Sequence, residues 1–437
     1  MWSLVTRWLG SSASPIGVDF GSESLKLAQV AQVGGEWRLI AAASADLPGH
    51  VRHNPALRME YLAATTRDLL VQGRFQGRSA VLALPAATTF VQHLRLPKMD
   101  DEATRKALPW EARGKLPIDP SHALLRHHVA GEVYQEQEAR QEVILMAAGR
   151  DVVNQYLAAA SRAKLDIVGM NVEAKAILDC FSHVYRRKTD ADAVNCFVDI
   201  GCTGTRVVIA RGTHMLFARN IAVGGDHFTR AVAASLGMTL DEARLLRLRL
   251  CGQQAQSDAQ KVQEPSQAAA AEAPADGSGL AVLNAALSAA QKNGERPVER
   301  RGTGKDPMAL DPSPATEAGG DIAQSQAVQK AYAEPLRKLV EELDLCRRYY
   351  EATFQNRPVD RLVFVGGEAK HRTLCQHIAR EMGLAAQVGD PLVRMGRESR
   401  IGIDSGIDCR LPQPNWAVAI GLSMGPARTD ASATRAA

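Results

Sequence analysis

Residues 16–30 read IGVDFGSESLKLAQV and residues 196–210 read CFVDIGCTGTRVVIA. Aligned without gaps, they share Val18/Val198, Asp19/Asp199, Gly21/Gly201 and a basic residue at Lys26/Arg206. Each is an apolar strand that ends in an acid, turns through small residues and returns as a second strand. That is the form of a phosphate-gripping hairpin. Gly21 and Gly201 let the backbone turn where a Cβ would clash, so that successive N–H groups point at an anion. Asp19 and Asp199 stand at the strand ends, where a hard oxygen can hold the waters of a magnesium ion. Two such hairpins predict two similar halves facing each other across one nucleotide.

A chain of 437 residues, 46% of them hydrophobic, can bury a sizeable core and make two or more domains. Its 52 basic and 48 acidic residues leave a net charge of only +4, and no long basic block suggests nucleic-acid binding. Seven cysteines without a paired CxxC or a Cys/His ligand spacing fit a reducing compartment, so the chain reads as cytoplasmic. No run approaches the roughly 20 apolar residues of a spanning helix. The opening MWSLVTRWLG offers Trp2, Leu4, Val5, Trp8 and Leu9 beside Arg7, enough to touch a bilayer surface or to pack on the first domain.

Beyond residues 1–15, a lead-in, strand-like and helical patterns alternate, which argues for an α/β architecture. After the first hairpin come a strand near 37–44, a helix near 57–72, SAVLAL at 79–84 closed by Pro85, and TFVQHLRL at 89–96. A helix opens at Asp100–Asp101, whose acids suit its N-terminal end, and stops by Pro117. Strands near 122–131 and 141–148, a helix over 151–164, a strand near 165–170 and a helix near 172–187 complete a first lobe over 16–190, with a small inserted subdomain at about 85–140. A second lobe over 191–425 restarts with its own hairpin. Residues 253–327, rich in Gln, Ala, Ser, Gly, Pro and Glu, are read as a disordered insertion in that lobe, with a transient helix at 279–291. Leu336, Leu339, Val340, Leu343, Cys346 and Tyr350 mark a long helix, and DRLVFVGGEAK at 360–370 is a strand running into two glycines. Residues 426–437 read as a frayed tail without an amphipathic face.

The order of hairpin, linking helix, second hairpin and strand ending in Gly-Gly resembles the actin-like ATPase superfamily, which includes sugar kinases, chaperones and the bacterial cytoskeletal proteins MreB and FtsA. The implied fold is α/β, a two-lobed actin-like (ribonuclease H-like) fold with a small subdomain inserted in the first lobe. Within the superfamily the chain is most similar to the PilM family, cytoplasmic actin-like proteins of type IV pilus assembly. MDDEATRKALPWEARGKLPID at 99–119 resembles that family's Trp-Glu-Ala helix and the Pro-containing turn after it. FARNIAVGGDHFTRAVAASLGMTLDEA at 217–243 resembles its Arg, Gly-Gly, Thr, Ala and Gly spacing. The resemblance covers roughly 16–250 and 328–425.

The resemblance implies ATP with magnesium between the lobes. Asp19 and Asp199 would hold the metal through water. Gly21, Ser22, Ser24 and Lys26 would form one phosphate jaw, and Gly201, Thr203, Gly204 and Thr205 the other. Glu173 begins a helix where relatives place a residue that orients the attacking water; as a helix-N-terminal acid it is equally a capping charge. Gly224 and Gly225 would approach ribose or phosphate, and Gly366 and Gly367 the adenosine. Three departures stand out: Glu23 beside the phosphates, and Arg244 and Arg247 where relatives hold the ribose, since a cation cannot accept a hydroxyl's hydrogen bond.

Leu108, Trp110, Leu116 and Pro117 form an apolar edge in the small subdomain, where the resemblance implies a bound N-terminal cytoplasmic peptide of a PilN-like membrane-anchored partner. The expected function is a cytoplasmic ATP-binding scaffold of type IV pilus or related secretion machinery, recruited to the inner face of the cytoplasmic membrane among other inner-membrane assembly proteins. At most it would be a slow ATPase. Alternatives on the same fold are a small-molecule kinase and an FtsA-like division protein; the first needs a positioned base and the second a C-terminal amphipathic helix, which PARTDASATRAA does not provide.

Overall fold

The computed structural model describes residues 13–52, 54–135, 138–185, 190, 192–263, 322–355 and 357–425. Strands β1 (Ile16–Phe20), β2 (Ser24–Val33) and β3 (Glu36–Asp46) fold back on one another antiparallel. Strands β4 (Ser79–Leu84) and β8 (Asp166–Val172) then add parallel to β1, giving the order β3-β2-β1-β4-β8. Every residue of β1 is buried, as the continuous apolar run requires. Helix α1 (Pro55–Gln72) starts where the Asn54 side chain accepts the N–H groups of Ala56 and Leu57. It packs with α3 (Arg150–Arg162), and together they bury Leu62, Leu69, Tyr156 and Ala160 against this sheet.

The second sheet holds β9 (Val194–Ile200), β10 (Thr205–Arg211), β11 (His214–Ile221), β12 (Arg361–Val365) and β13 (Ala385–Val388) in the order β11-β10-β9-β12-β13. It repeats the first: a meander, then one strand parallel to the opening strand and a second parallel to that. The two copies of one motif in the sequence are thus the openings of two copies of one sheet.

Two helices join the halves. Helix α4 (Glu173–Phe181) leads from β8 toward β9, and α10 (Ala417–Met424) returns to pack on β1 and β2. Helix α10 is apolar on all sides, as a helix enclosed by core must be. Phe181, Phe197, Val363, Trp416 and Ala419 form the core between the sheets. At Gly421 the two helices touch backbone to backbone, and a Cβ there would run into the Ala176 carbonyl.

The small subdomain is a three-stranded sheet, ordered β5-β7-β6, from β5 (Thr89–Pro97), β6 (Ala123–Gln135) and β7 (Glu138–Gly149). Helix α2 (Asp101–Glu111) covers it, capped by Asp100, which accepts the Ala103 N–H at 2.7 Å. The subdomain also clasps the second lobe. His93 and His128 reach the carbonyls of Ala218 and Met215 at 3.1 and 2.9 Å, and His214 reaches that of Ala130 at 2.9 Å. Glu142, wholly buried, accepts from His93 Nδ1 (2.9 Å), Arg95 Nε (3.2 Å) and Tyr349 OH (2.7 Å). Burial pushes Glu142 up, but these donors outweigh it and hold the carboxyl below its ordinary range.

Some boundaries differ from the sequence reading. The subdomain sheet runs to Gly149, past 140. Strand β14 (Gly396–Arg397) pairs with β3, and α10 packs on β1, so the end of the expected second lobe belongs to the first. Helix α5 (Gly225–Leu236) precedes α6 (Leu240–Gln263), which continues past 253, and α7 (Ile322–Ala331) begins before 327. Residues 264–321, including the helix expected at 279–291, lie outside the described residues, as do 1–12 and 426–437. Helix α8 (Ala333–Thr353) buries Leu336, Leu339, Leu343, Cys346 and Tyr350 as read, and α9 (Arg372–Met382) follows the Gly-Gly strand.

Candidate functional site

In each hairpin the strand-ending acid has a base directly opposite it in the ladder. Asp19 pairs with Lys26 across β1 and β2, and Asp199 with Arg206 across β9 and β10. Opposed residues share one face of a sheet, so each hairpin supplies its own counter-ion. The two turns meet, with Ser22 Oγ 3.1 Å from Thr203 Oγ1. Between them lies a narrow cleft of about 80 Å³ that Asp19, Gly21, Ser22, Ser24, Lys26, Glu173, Asp199, Gly201, Thr203, Gly366 and Gly367 all line. These residues are brought together as expected.

Arg206 was not expected as a site residue, yet it organises the acids. Its Nη2 and Nε lie 2.6 and 2.7 Å from Asp199 Oδ2, and its Nε lies 3.3 Å from Glu173 Oε2. That same Glu173 oxygen accepts the Ala86 N–H at 3.0 Å. Burial opposes the charge on Arg206, but Asp199, Glu173 and Asp19 raise its pKa overall. Burial lifts Glu173 to about 7, with Arg206 acting against it and the two aspartates adding to it. Asp19 is raised too, by burial, against the pull of Lys26 and Arg206. Lys26 itself is buried and donates to Ser24 Oγ.

This charge pattern does not fit magnesium. Of the two acids expected to hold its waters, Asp199 is paired with Arg206 and Asp19 faces Lys26. A dication placed there would meet two fixed cations at close range. Among the described residues no group of three His, Cys, Asp or Glu side chains is arranged to hold a metal. Glu173, expected to orient a water, has its Oε2 engaged by the protein through Ala86 and Arg206.

Other residues of the expected nucleotide site are taken up by the protein itself. Gly204, Thr205, Gly224 and Gly225 do not line the cleft. Thr205 Oγ1 donates to the Val223 carbonyl, and Gly204 lies against that of Ile221. The Gly225 and Asp226 N–H groups that open α5 donate to the carbonyls of Gly201 and Cys202, so the helix start clamps the hairpin and does not face an anion. Glu368, just after the Gly-Gly pair, packs on Gly225 and forms a buried ion pair with Arg247. Arg247 also donates to Tyr332 OH (2.7 Å), Thr229 Oγ1 (2.7 Å) and the Gly225 carbonyl (3.0 Å). Burial pushes Glu368 up, but Arg247 and His371 bring it below its ordinary value. Gly366, at φ +87°, is pressed against Asp199 where a side chain would not fit. Glu23, expected to repel phosphates, is met by Arg244 Nε at 2.6 Å and Arg52 at 3.7 Å.

The expected apolar edge of the subdomain divides in two. Leu108 and Leu116 are buried in its core with Ala112, Val143 and Leu145, so they offer nothing to a partner. Trp110 is 68% exposed, with the Arg113 guanidinium 4.2 Å over its ring, and Pro117 is exposed. Helical geometry explains the split: Leu108 and Ala112, four apart, face the sheet, and Trp110 falls on the opposite side of α2.

Two matching sheets, two helices passing between them and paired hairpins at the cleft define an actin-like protein. The chain belongs to the family Type IV pilus assembly protein PilM, which it matches over residues 17–273. Residues 196–421 also match Cell division protein FtsA. Among solved structures it is similar to a chain of a PilM-PilN type IV pilus biogenesis complex, at 21% identity and a TM-score of 0.65, over 94% of this chain and 99% of that one. It is also similar to ethanolamine utilization protein EutJ from Carboxydothermus hydrogenoformans, at 12% identity and a TM-score of 0.47, over 95% and 90%. Among the described residues no helix is long and apolar enough to cross a membrane.

Proposed function

We propose that this type IV pilus protein is a scaffold in the cytoplasm, drawn to the membrane by holding the N-terminal cytoplasmic peptide of a PilN-like, membrane-anchored partner on its small subdomain. The observation that carries the reading is Trp110: a large aromatic left in solvent on a helix whose other face is fully packed. Its relative in fold was solved as a PilM-PilN complex. Pro117 and the Arg113 guanidinium extend the surface beside it. ATP with magnesium, the cofactor implied by the fold, has support in the phosphate-facing half of the cleft, where Ser22, Ser24, Thr203 and Lys26 gather. Gly366 and Gly367 line the same cleft, whereas Gly224 and Gly225 lie outside it and both aspartates face cations of the protein. The kinase alternative needs a positioned base, and no observation here favours it over the scaffold.

Crosslinking purification of the tagged chain from its own cells tests the reading. A membrane-anchored protein joined through its N-terminal segment near Trp110, and lost in Trp110→Ala without a change in melting temperature, is the expected result. Recovery of no membrane protein, or crosslinks that ignore the substitution, overturns it.

A further inference from the structure

Three sets of bonds cross or seal the cleft, and all are made by this chain's own side chains. At the base, Arg206 joins Asp199 of the second sheet to Glu173, which follows the last strand of the first; its side chain is only 11% exposed. At the mouth, Glu23 of the first hairpin turn meets Arg244 of α6, beside the contact of Ser22 with Thr203. At the side, the ion pair of Arg247 and Glu368 packs on Gly225. Arg247, its side chain 4% exposed, has each of its three nitrogens bonded within the protein, and the rings of Tyr332 and Phe228 flank it at 5.4 and 5.7 Å. A nucleoside seated there would have to expel one member of a buried pair and leave the other uncompensated.

We propose that the chain holds its cleft shut with its own charges, Arg206 standing where the metal would be and the Arg247–Glu368 pair where the nucleoside would be, so that its closed state is independent of ATP and magnesium. In an actin-like protein closed by ligand, the bound phosphates and metal bridge the lobes; here the bridging bonds are already protein to protein. Closure then needs no differential affinity of a ligand for two states, and none is available to drive it. The inference deepens the scaffold reading by removing its nucleotide switch. Its tests contain no partner, so their failure and that of the partner reading remain distinct.

The full-length protein is titrated with ATP and magnesium chloride at millimolar concentration, by calorimetry, thermal melting and hydrogen exchange of the turns at 20–24 and 201–206. The wild-type chain is expected to show no binding heat, an unchanged melting temperature and equally slow exchange with and without MgATP. Arg206→Gln is expected to speed exchange in both turns. The double variant Arg247→Lys/Glu368→Gly, with the plug removed, is expected to gain at least a hundredfold in ATP affinity. A wild-type chain that melts several degrees higher in MgATP, or whose turns slow on its addition, overturns the proposal. So does a folded double variant that still ignores ATP. If the double variant does not fold, the wild-type titration decides alone.

Discussion

Glu173 sits at the start of a linking helix with its carboxyl buried and its pKa lifted to about 7 from an ordinary 4.5. Below pH 4.5 folded and unfolded chains both carry the proton. Between 4.5 and about 7 the unfolded chain releases it and the folded chain keeps it, so stability falls as pH rises; above 7 the full cost is present. At 1.36 kcal/mol per decade, the total is about 3 kcal/mol, of which about 2.5 kcal/mol falls between pH 5 and 8. Glu173→Gln removes this titration while keeping an acceptor for the Ala86 N–H, and leaves Arg206 its shorter bond to Asp199. Urea unfolding of both proteins at pH 5 and pH 8, followed through the buried Trp416, reads the difference. The variant is expected to gain about 2.5 kcal/mol on the wild type in going from pH 5 to pH 8. His371, which burial lowers to about 4, titrates with the opposite sign between 6.5 and 4, but both proteins carry it and it cancels. Parallel pH profiles would refute the upward shift that burial gives the Glu173 carboxyl.

Two further outcomes follow from packing. Gly421→Ala should cost about 3 kcal/mol or more, because the new methyl meets the Ala176 carbonyl and both linking helices must part, outweighing the roughly 1 kcal/mol an alanine gains in a helix; a melting temperature within a degree of wild type would contradict this contact. Glu142→Leu should cost about 3 kcal/mol, leaving His93 Nδ1 and Tyr349 OH without their acceptor. It should also quicken proteolysis within 89–149 relative to the rest of the chain; uniform cleavage would deny the clasp.

The hairpins were legible because a strand, an acid and a small-residue turn are local. So, in principle, was the role of Arg206: Asp19 to Lys26 and Asp199 to Arg206 are the same seven-residue step, and a hairpin with a tight turn sets such positions opposite each other. The alignment shows the shared basic residue, but not by itself that its partner lies across the ladder. The placement of Trp110 outside and Leu108 inside was likewise available from helical period. Arg247 with Glu368 and Arg244 with Glu23 were not, since they join segments far apart in sequence and depend on how α6 lies against both lobes. The glycines at 224 and 225 misled for a related reason: close approach was required, but of protein backbone and the Glu368 side chain, not of phosphate.

The clasp of the small subdomain on β11 and α8 has a mechanical consequence. Two bodies joined along one line swing about that line. Here the lobes are fastened at the linking helices, at the hairpin turns and again through Glu142 and His128, and no swing leaves all three fastenings intact. A pull applied at Trp110 therefore passes through the subdomain sheet into both lobes as one rigid bracket, and force arriving there is transmitted rather than absorbed by opening.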